Sequence, residues 1–287
     1  MTWLVLSILT AFTESLKDVF CKKSLQVLDS NLVACLTMGI AAIVLLPALW
    51  ITGVPTLGPQ FWLAMLTGGT LNVIAYSLYV KAIQISDLSL ITPLSALTPL
   101  FLLVTSPLIV KEFPTPLDGL GVFLVVVGSY ILNLRSLDGD FLAPVKAMAR
   151  DRGSRMMILV AFIWSITSTF DKIGVQNSSP LFWAIVLFAY IAIGILPSLF
   201  GSQKIDWLGV RKQWKSIVLA GIMNGIAVGS QMIAVGMVPV TQVIAVKRTS
   251  SLFSVGFGVW LFGEKGLRER LMGAIVMVLG VIIMSIG

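Results

Sequence analysis

The chain has 287 residues, 57% of them apolar and only 11% charged, with a formal net charge of +7. A soluble domain carries about a quarter of its residues as charges, so this composition excludes an ordinary soluble fold and points to a polytopic membrane protein. The cationic excess does not indicate nucleic acid: most Lys and Arg lie in short connections beside apolar runs, where they set topology.

Ten apolar stretches are predicted to cross the bilayer: 3–22, 31–52, 61–82, 88–110, 117–134, 156–175, 181–200, 216–236, 239–262 and 270–286. Most approach the roughly 20 residues needed to traverse hydrocarbon. The first, beginning WLVLSILTAF, lacks the basic flank and small-residue cleavage site of a secretory signal, so it is expected to be a mature helix. The longest polar connection is Arg135–Arg155, and no soluble domain fits anywhere. Three segments are therefore expected: 1–134, a connecting loop 135–155, and 156–287. Cys21 and Cys35 fall in or beside apolar segments and are expected to pack rather than to pair. Histidine is absent, which excludes histidine metal sites and histidine proton relays. No cofactor is expected.

The halves repeat one another. A shift of 150 superposes Phe20 on Phe170, Lys22 on Lys172, Ala34 on Ala184 and Pro47 on Pro197. A shift of 152 then superposes Trp62 on Trp214, Asn72 on Asn224, Phe101 on Phe253, Glu112 on Glu264, Gly121 on Gly273 and Gly128 on Gly280. Five spans per half is an odd number, so the second half must be inverted. The expected fold is an all-α integral membrane protein of ten transmembrane helices in two inverted five-helix repeats. Such repeats place substrate at their interface near the midplane and work by alternating access.

Several motifs are similar to those of the drug/metabolite transporter superfamily in its ten-helix EamA form. They are FGE closing the ninth span, the RLMGAIVMVLGVIIM run after it, and their diverged counterparts VKEF at 110–113 and LDGLGVFLVVVGSYIL. The resemblance covers essentially the whole chain. It implies a transporter of amino acids, other metabolites or drugs, or an exchanger of nucleotide sugars or sugar phosphates. The Lys247-Arg248 dipeptide also resembles the phosphate-holding pair of sugar-phosphate translocators.

Orientation follows from loop charge. The connections after odd-numbered spans hold Lys22, Lys23, Arg135, Lys146, Arg150, Arg152, Arg155, Lys204, Arg211, Lys212, Lys215, Lys265, Arg268 and Arg270, whereas the other side holds Lys111, with Lys172 at its boundary. The positive-inside rule predicts both termini outside a cell (inner) membrane. Many relatives in the superfamily are described the other way round.

Charges inside the spans mark a candidate cavity. A charge at the centre of a membrane helix costs roughly 2.5–3.5 kcal/mol on insertion scales, so Lys247 and Arg248 must face protein, water or an anionic ligand. In the first span Glu14, Lys17, Asp18 and Lys22 share one helix face. They form either a structural ion-pair ladder or part of a site. In the sixth, Asp171 and Lys172 follow Ser165, Ser168 and Thr169. Asp171 is either the counter-ion of Lys247 or Arg248, or a proton carrier. The third span carries Asn72, Tyr76 and Tyr79 on one face, with Lys81 near its end. Its repeat mate carries Asn224 and Gln231, and the two asparagines suggest interhelical bonding. The fourth, LSLITPLSALTPLF, is broken by Pro93 and Pro99 and sets Ser95 and Ala96 where its mate has the two cations.

The candidate substrate ligands are therefore Lys247, Arg248, Lys172, Tyr76, Tyr79, Ser95 and Gln231. Asp171, Asp18 and Glu14 are candidate counter-ions or proton-coupling groups. Embedded bases outnumber acids, so a net-positive cavity is expected, suited to a small anionic or zwitterionic metabolite carried by secondary transport. The alternative is an exporter of amino acids or drugs whose buried charges are structural. Expected partners are the lipid bilayer, a small-molecule substrate, and protons or a counter-substrate; the state is monomer or homodimer. An intramembrane enzyme lacks a nucleophile motif, and Asp138-Gly139-Asp140 reads as a polar turn. No Walker-type phosphate loop supports a pump.

Overall fold

The computed structural model describes residues 1–86, 94–133, 151–200, 206–253 and 267–286. Pro93, Asp138-Gly139-Asp140 and the FGE motif at 262–264 lie outside these residues. Ten helical spans follow: α1 (Thr2–Leu25), α2 (Ser30–Leu45, prolonged by Ala48–Thr52), α3 (Phe61–Ile85), α4 (Leu97–Ile109), α5 (Pro116–Asn133), α6 (Arg152–Gln176), α7 (Pro180–Phe200), α8 (Trp207–Val235), α9 (Val240–Lys247) and α10 (Leu267–Ile286). Of these, Ser30–Thr52, α3, α6, Pro180–Leu199 and α8 are long and apolar enough to cross a membrane, and α4, Pro116–Ile131 and Met272–Ile286 are shorter apolar helices. A π-helical segment, Met65–Gly69, widens α3.

Helix starts follow local chemistry. Asp29, Asp151 and Asp206 each precede a helix and accept a backbone N–H of its first turn, at 2.8, 2.6 and 2.9 Å. Thr115 and Asp118 form a reciprocal capping box at the start of α5. Asp118 N–H donates to Thr115 Oγ1 at 3.1 Å, and Thr115 N–H donates to Asp118 Oδ2 at 2.8 Å.

The packing exchanges repeat mates. α1 lies along α8, and its mate α6 lies along α3; α2 packs on α7, α4 on α9 and α5 on α10. The α5–α10 contact is backbone to backbone. A Cβ at Gly128 would lie 2.7 Å from Gly273 O, and one at Gly280 would lie 2.6 Å from Gly121 O. Small residues of this kind let membrane helices approach closely.

The ninth span, expected over 239–262, has a break in its described part: the helix stops at Lys247, turns at Arg248 and Thr249, and resumes at residues 250–253. Ala96, the repeat mate of Arg248, lies at a matching break in the fourth span. The two have nearly the same backbone angles, φ −69°, ψ −9° at Ala96 and φ −68°, ψ −12° at Arg248. Pro99 lacks the N–H that Ser95 O would accept. Instead Thr98 Oγ1 donates to Ser95 O at 2.8 Å. The α9 break has no proline, and there the hydroxyls bond to carbonyls that also accept a backbone N–H: Thr249 Oγ1 donates to Val246 O at 2.7 Å and Ser251 Oγ to Arg248 O at 3.1 Å.

Candidate functional site

The repeats enclose a cavity with about 620 Å³ of space between its lining atoms, its opening included. Its charged wall comes from α1 (Glu14, Lys17), α6 (Asp171) and the α9 break (Lys247, Arg248). Tyr76, Gln231 and both repeat-related asparagines, Asn72 and Asn224, also line it, and Met38, Phe188 and Ile244 are among its apolar wall.

Glu14 is the hub of the ion pairs. Its Oε1 lies 2.9 Å from Lys17 Nζ and 3.5 Å from Lys247 Nζ. Lys17 also lies 3.2 Å from Asp18 Oδ1 and 4.9 Å above the Tyr79 ring centroid. The Tyr79 hydroxyl donates to Asp18. Lys247 donates to Gln231 Oε1 at 2.9 Å. Arg248 donates through Nη2 to Thr98 Oγ1 at 2.9 Å and stacks over Trp164, with Cζ 5.5 Å from the ring centroid. These contacts offset much of the cost of burying cations.

Among the described residues, three side-chain atoms of cavity-lining residues are buried with no partner: Glu14 Oε2, Tyr76 OH and Arg248 Nε. An acid acceptor, a hydroxyl and a guanidinium donor are thus left unsatisfied in residues that line one space.

Other expected site residues fall elsewhere. Tyr79 and Asp18 lie behind the lining, joined to each other. Ser95 is at the α4 break, where its carbonyl accepts from Thr98, and it is not part of the lining. Lys172 also stands away from the cavity. Its Nζ donates to Val235 O at 2.7 Å and Val238 O at 2.8 Å, and lies 2.9 Å from Glu112 Oε1. Glu112 Oε2 in turn accepts from Val240 N at 3.0 Å. The lysine therefore joins the end of α8 to the start of α9. Its mate does the same in the other half: Lys22 Nζ donates to Ile83 O at 2.7 Å and Ser86 O at 3.2 Å, at the end of α3. Lys81 is exposed and bonds to Gln84.

Asp171 makes no ion pair within 4.0 Å among the described residues; its partner is Trp183, whose Nε1 donates to Oδ1 at 3.0 Å. Trp183, Trp164 and Thr98 had no individual signal in the sequence. Glu112 was visible through its repeat mate, Glu264, and as part of the VKEF motif, but not as a partner of Lys172.

The charged cavity thus lies between two intertwined helical repeats that include helices long and apolar enough to cross a membrane. The sequence profile of the EamA-like transporter family matches residues 1–134 and 152–286, and the chain belongs to that family. No curated protein matches the chain. A solved structure titled only "Crystal structure of protein" superposes with a TM-score of 0.76 at 18% identity, over 98% of this chain and 96% of that one. At that identity the likeness speaks for the fold alone.

Proposed function

We propose that the protein is a secondary transporter that moves a small zwitterionic or anionic metabolite across the cell (inner) membrane by alternating access. The carrying observation is the trio of orphaned atoms, Glu14 Oε2, Tyr76 OH and Arg248 Nε, around one cavity. Each buried unsatisfied group costs about 1–3 kcal/mol, which a complementary ligand recovers. A ligand carboxylate accepts from Arg248 and Tyr76, while a ligand ammonium donates to Glu14.

The lining cations Lys17, Lys247 and Arg248 face the carboxylates of Glu14 and Asp171, with Asp18 close behind. Lys81 and Lys172 no longer count toward the cavity, so its positive excess is slight and favours a zwitterion over a multiply charged phosphate. The structural reading of the buried charges fits Lys17 and Lys247, which already hold acceptors. It does not account for the open Nε of Arg248.

A thermal-shift screen of purified protein against amino acids, carboxylates and phosphorylated metabolites tests this reading. Zwitterions should raise the melting temperature most. Stabilisation by organic cations alone would overturn the proposal and support a drug exporter.

A further inference from the structure

We propose that Asp171 is a reversible proton-binding site within the cavity, held in place by Trp183, and that it couples transport to proton movement; the coupling rests on the transporter reading above. The carboxylates on and beside the cavity are held differently. Glu14 and Asp18 both contact Lys17, and Glu14 also faces Lys247. Asp171 is 5% exposed and lines the same space, yet its partner is a neutral indole. An ionised carboxylate removed from water without a cation beside it is strongly penalised. Gaining or losing a proton is therefore a large local electrostatic event.

The surrounding charges are already engaged. From α9, Lys247 is bound to Gln231 and Glu14, and Arg248 to Thr98. Across the cavity on α1, Lys17 pairs with Glu14 and Asp18. On α3, Tyr76 faces the cavity and Tyr79 is bound to Asp18. From α7, Tyr190 is hydrogen-bonded to Thr70. Lys172, next in sequence, is directed to Glu112 and two carbonyls. Although Lys247 is engaged, its charge still acts on Asp171 through space, as would the ligand's own charge.

Trp183 suits this role because an indole N–H donates and never accepts. It can hold Oδ1 whether or not the acid carries its proton, leaving Oδ2 as the proton's place. The indole is fully buried, with Phe61 edge-on at 5.6 Å. Gly174, one turn beyond Asp171, lets it lie flat against α6, since a Cβ there would overlap the ring. Thr167 and Ser168, one turn before Asp171, add polar groups to the same wall.

The test has a substrate-free arm and a transport arm. In purified protein without ligand, infrared spectroscopy should resolve a carboxylic C=O band that titrates with pH and is absent from Asp171→Asn. Trp183→Phe should move the midpoint of that titration, and serves if Asp171→Asn does not fold. No titrating band, or a midpoint indifferent to Trp183→Phe, overturns the proton site. In proteoliposomes, Asp171→Asn should lose amino-acid accumulation driven by a pH gradient, and Trp183→Phe, which lies outside the cavity lining, should shift the pH dependence of that accumulation. Gradient-driven accumulation that survives the substitution overturns the coupling. A titrating band in a protein that moves no zwitterion or anion would support the proton site and count against the transport reading instead.

Discussion

Arg248 Nη2 donates to Thr98 Oγ1 at 2.9 Å, so the breaks in two symmetry-related helices are tied to each other by one hydrogen bond. Thr98 supplies the hydroxyl that offsets the missing N–H of Pro99, and the same oxygen accepts from the guanidinium. Irregular backbone at membrane depth is tolerated where it is buried in protein or lines a cavity. Here it brings a cation to the cavity from one half and its acceptor from the other.

Arg248→Ala should weaken binding of the stabilising zwitterion by roughly ten- to a hundredfold, since a charged hydrogen bond contributes about 1.5–3 kcal/mol. Arg248→Lys should remain impaired, because an ammonium cannot reproduce the guanidinium's fork of donors or its stacking on Trp164. Ligand affinity measured beside melting temperature decides the matter. Unchanged affinity with a lowered melting point would make the residue structural.

Lys172→Met should destabilise the protein without altering ligand affinity. It removes the partner of Glu112 and leaves two carbonyls at the end of α8 without their donor. Breaking a buried pair typically costs about 3–5 kcal/mol, and the partial exposure of Glu112 places this one toward the low end. A melting temperature equal to that of the unaltered protein would refute the assignment.

Much of this was legible in the sequence, and some was not. The shifts of 150 and 152 placed Lys22 on Lys172 and Ala96 on Arg248, and the structure shows matching roles or backbone angles at both pairs. Helix periodicity placed Glu14, Lys17 and Asp18 together. It could not reveal that Lys172 turns from the cavity, because the carbonyls it serves arrive 63 and 66 residues later. The break at Arg248 was equally hidden: the α4 break has a proline marker, whereas the α9 break rests on Thr249 and Ser251, which also occur in unbroken helices. Trp183 was hidden for a related reason, since nothing in an apolar run says which indole finds a carboxylate.

Asp151 confers a modest acid sensitivity at the membrane boundary. Burial pushes its carboxyl upward, but hydrogen bonds from Ser154 and Ser86, with Arg155 nearby, outweigh this and hold it below the ordinary aspartate value. A depressed folded-state value means that the contribution is full above the unfolded pKa of about 3.9 and is lost as pH falls through the folded value. Asp151→Asn should narrow the difference in melting temperature between neutral and strongly acidic buffer. An unchanged difference would show that the cap is not coupled to stability.

Both termini are expected on the non-cytoplasmic face. Alkaline phosphatase fused after Gly287 should be active and green fluorescent protein dark. The reverse pattern would mean that the charge bias of the connections has another origin.

The glycine contacts between α5 and α10 have a consequence for how the chain is joined. Under the 152-residue shift, Gly121 maps to Gly273 and Gly128 to Gly280, so the Gly121–Gly280 and Gly128–Gly273 contacts are images of one another. That is the geometry of an isologous dimer interface, in which one patch meets its own copy, here realised within a single polypeptide. The α5–α10 surface should serve equally well between halves made as separate chains, divided in the link between α5 and α6. Fragments cut within that link and co-expressed should therefore reassemble, and Gly128→Val, whose added Cβ meets Gly273 O, should prevent it.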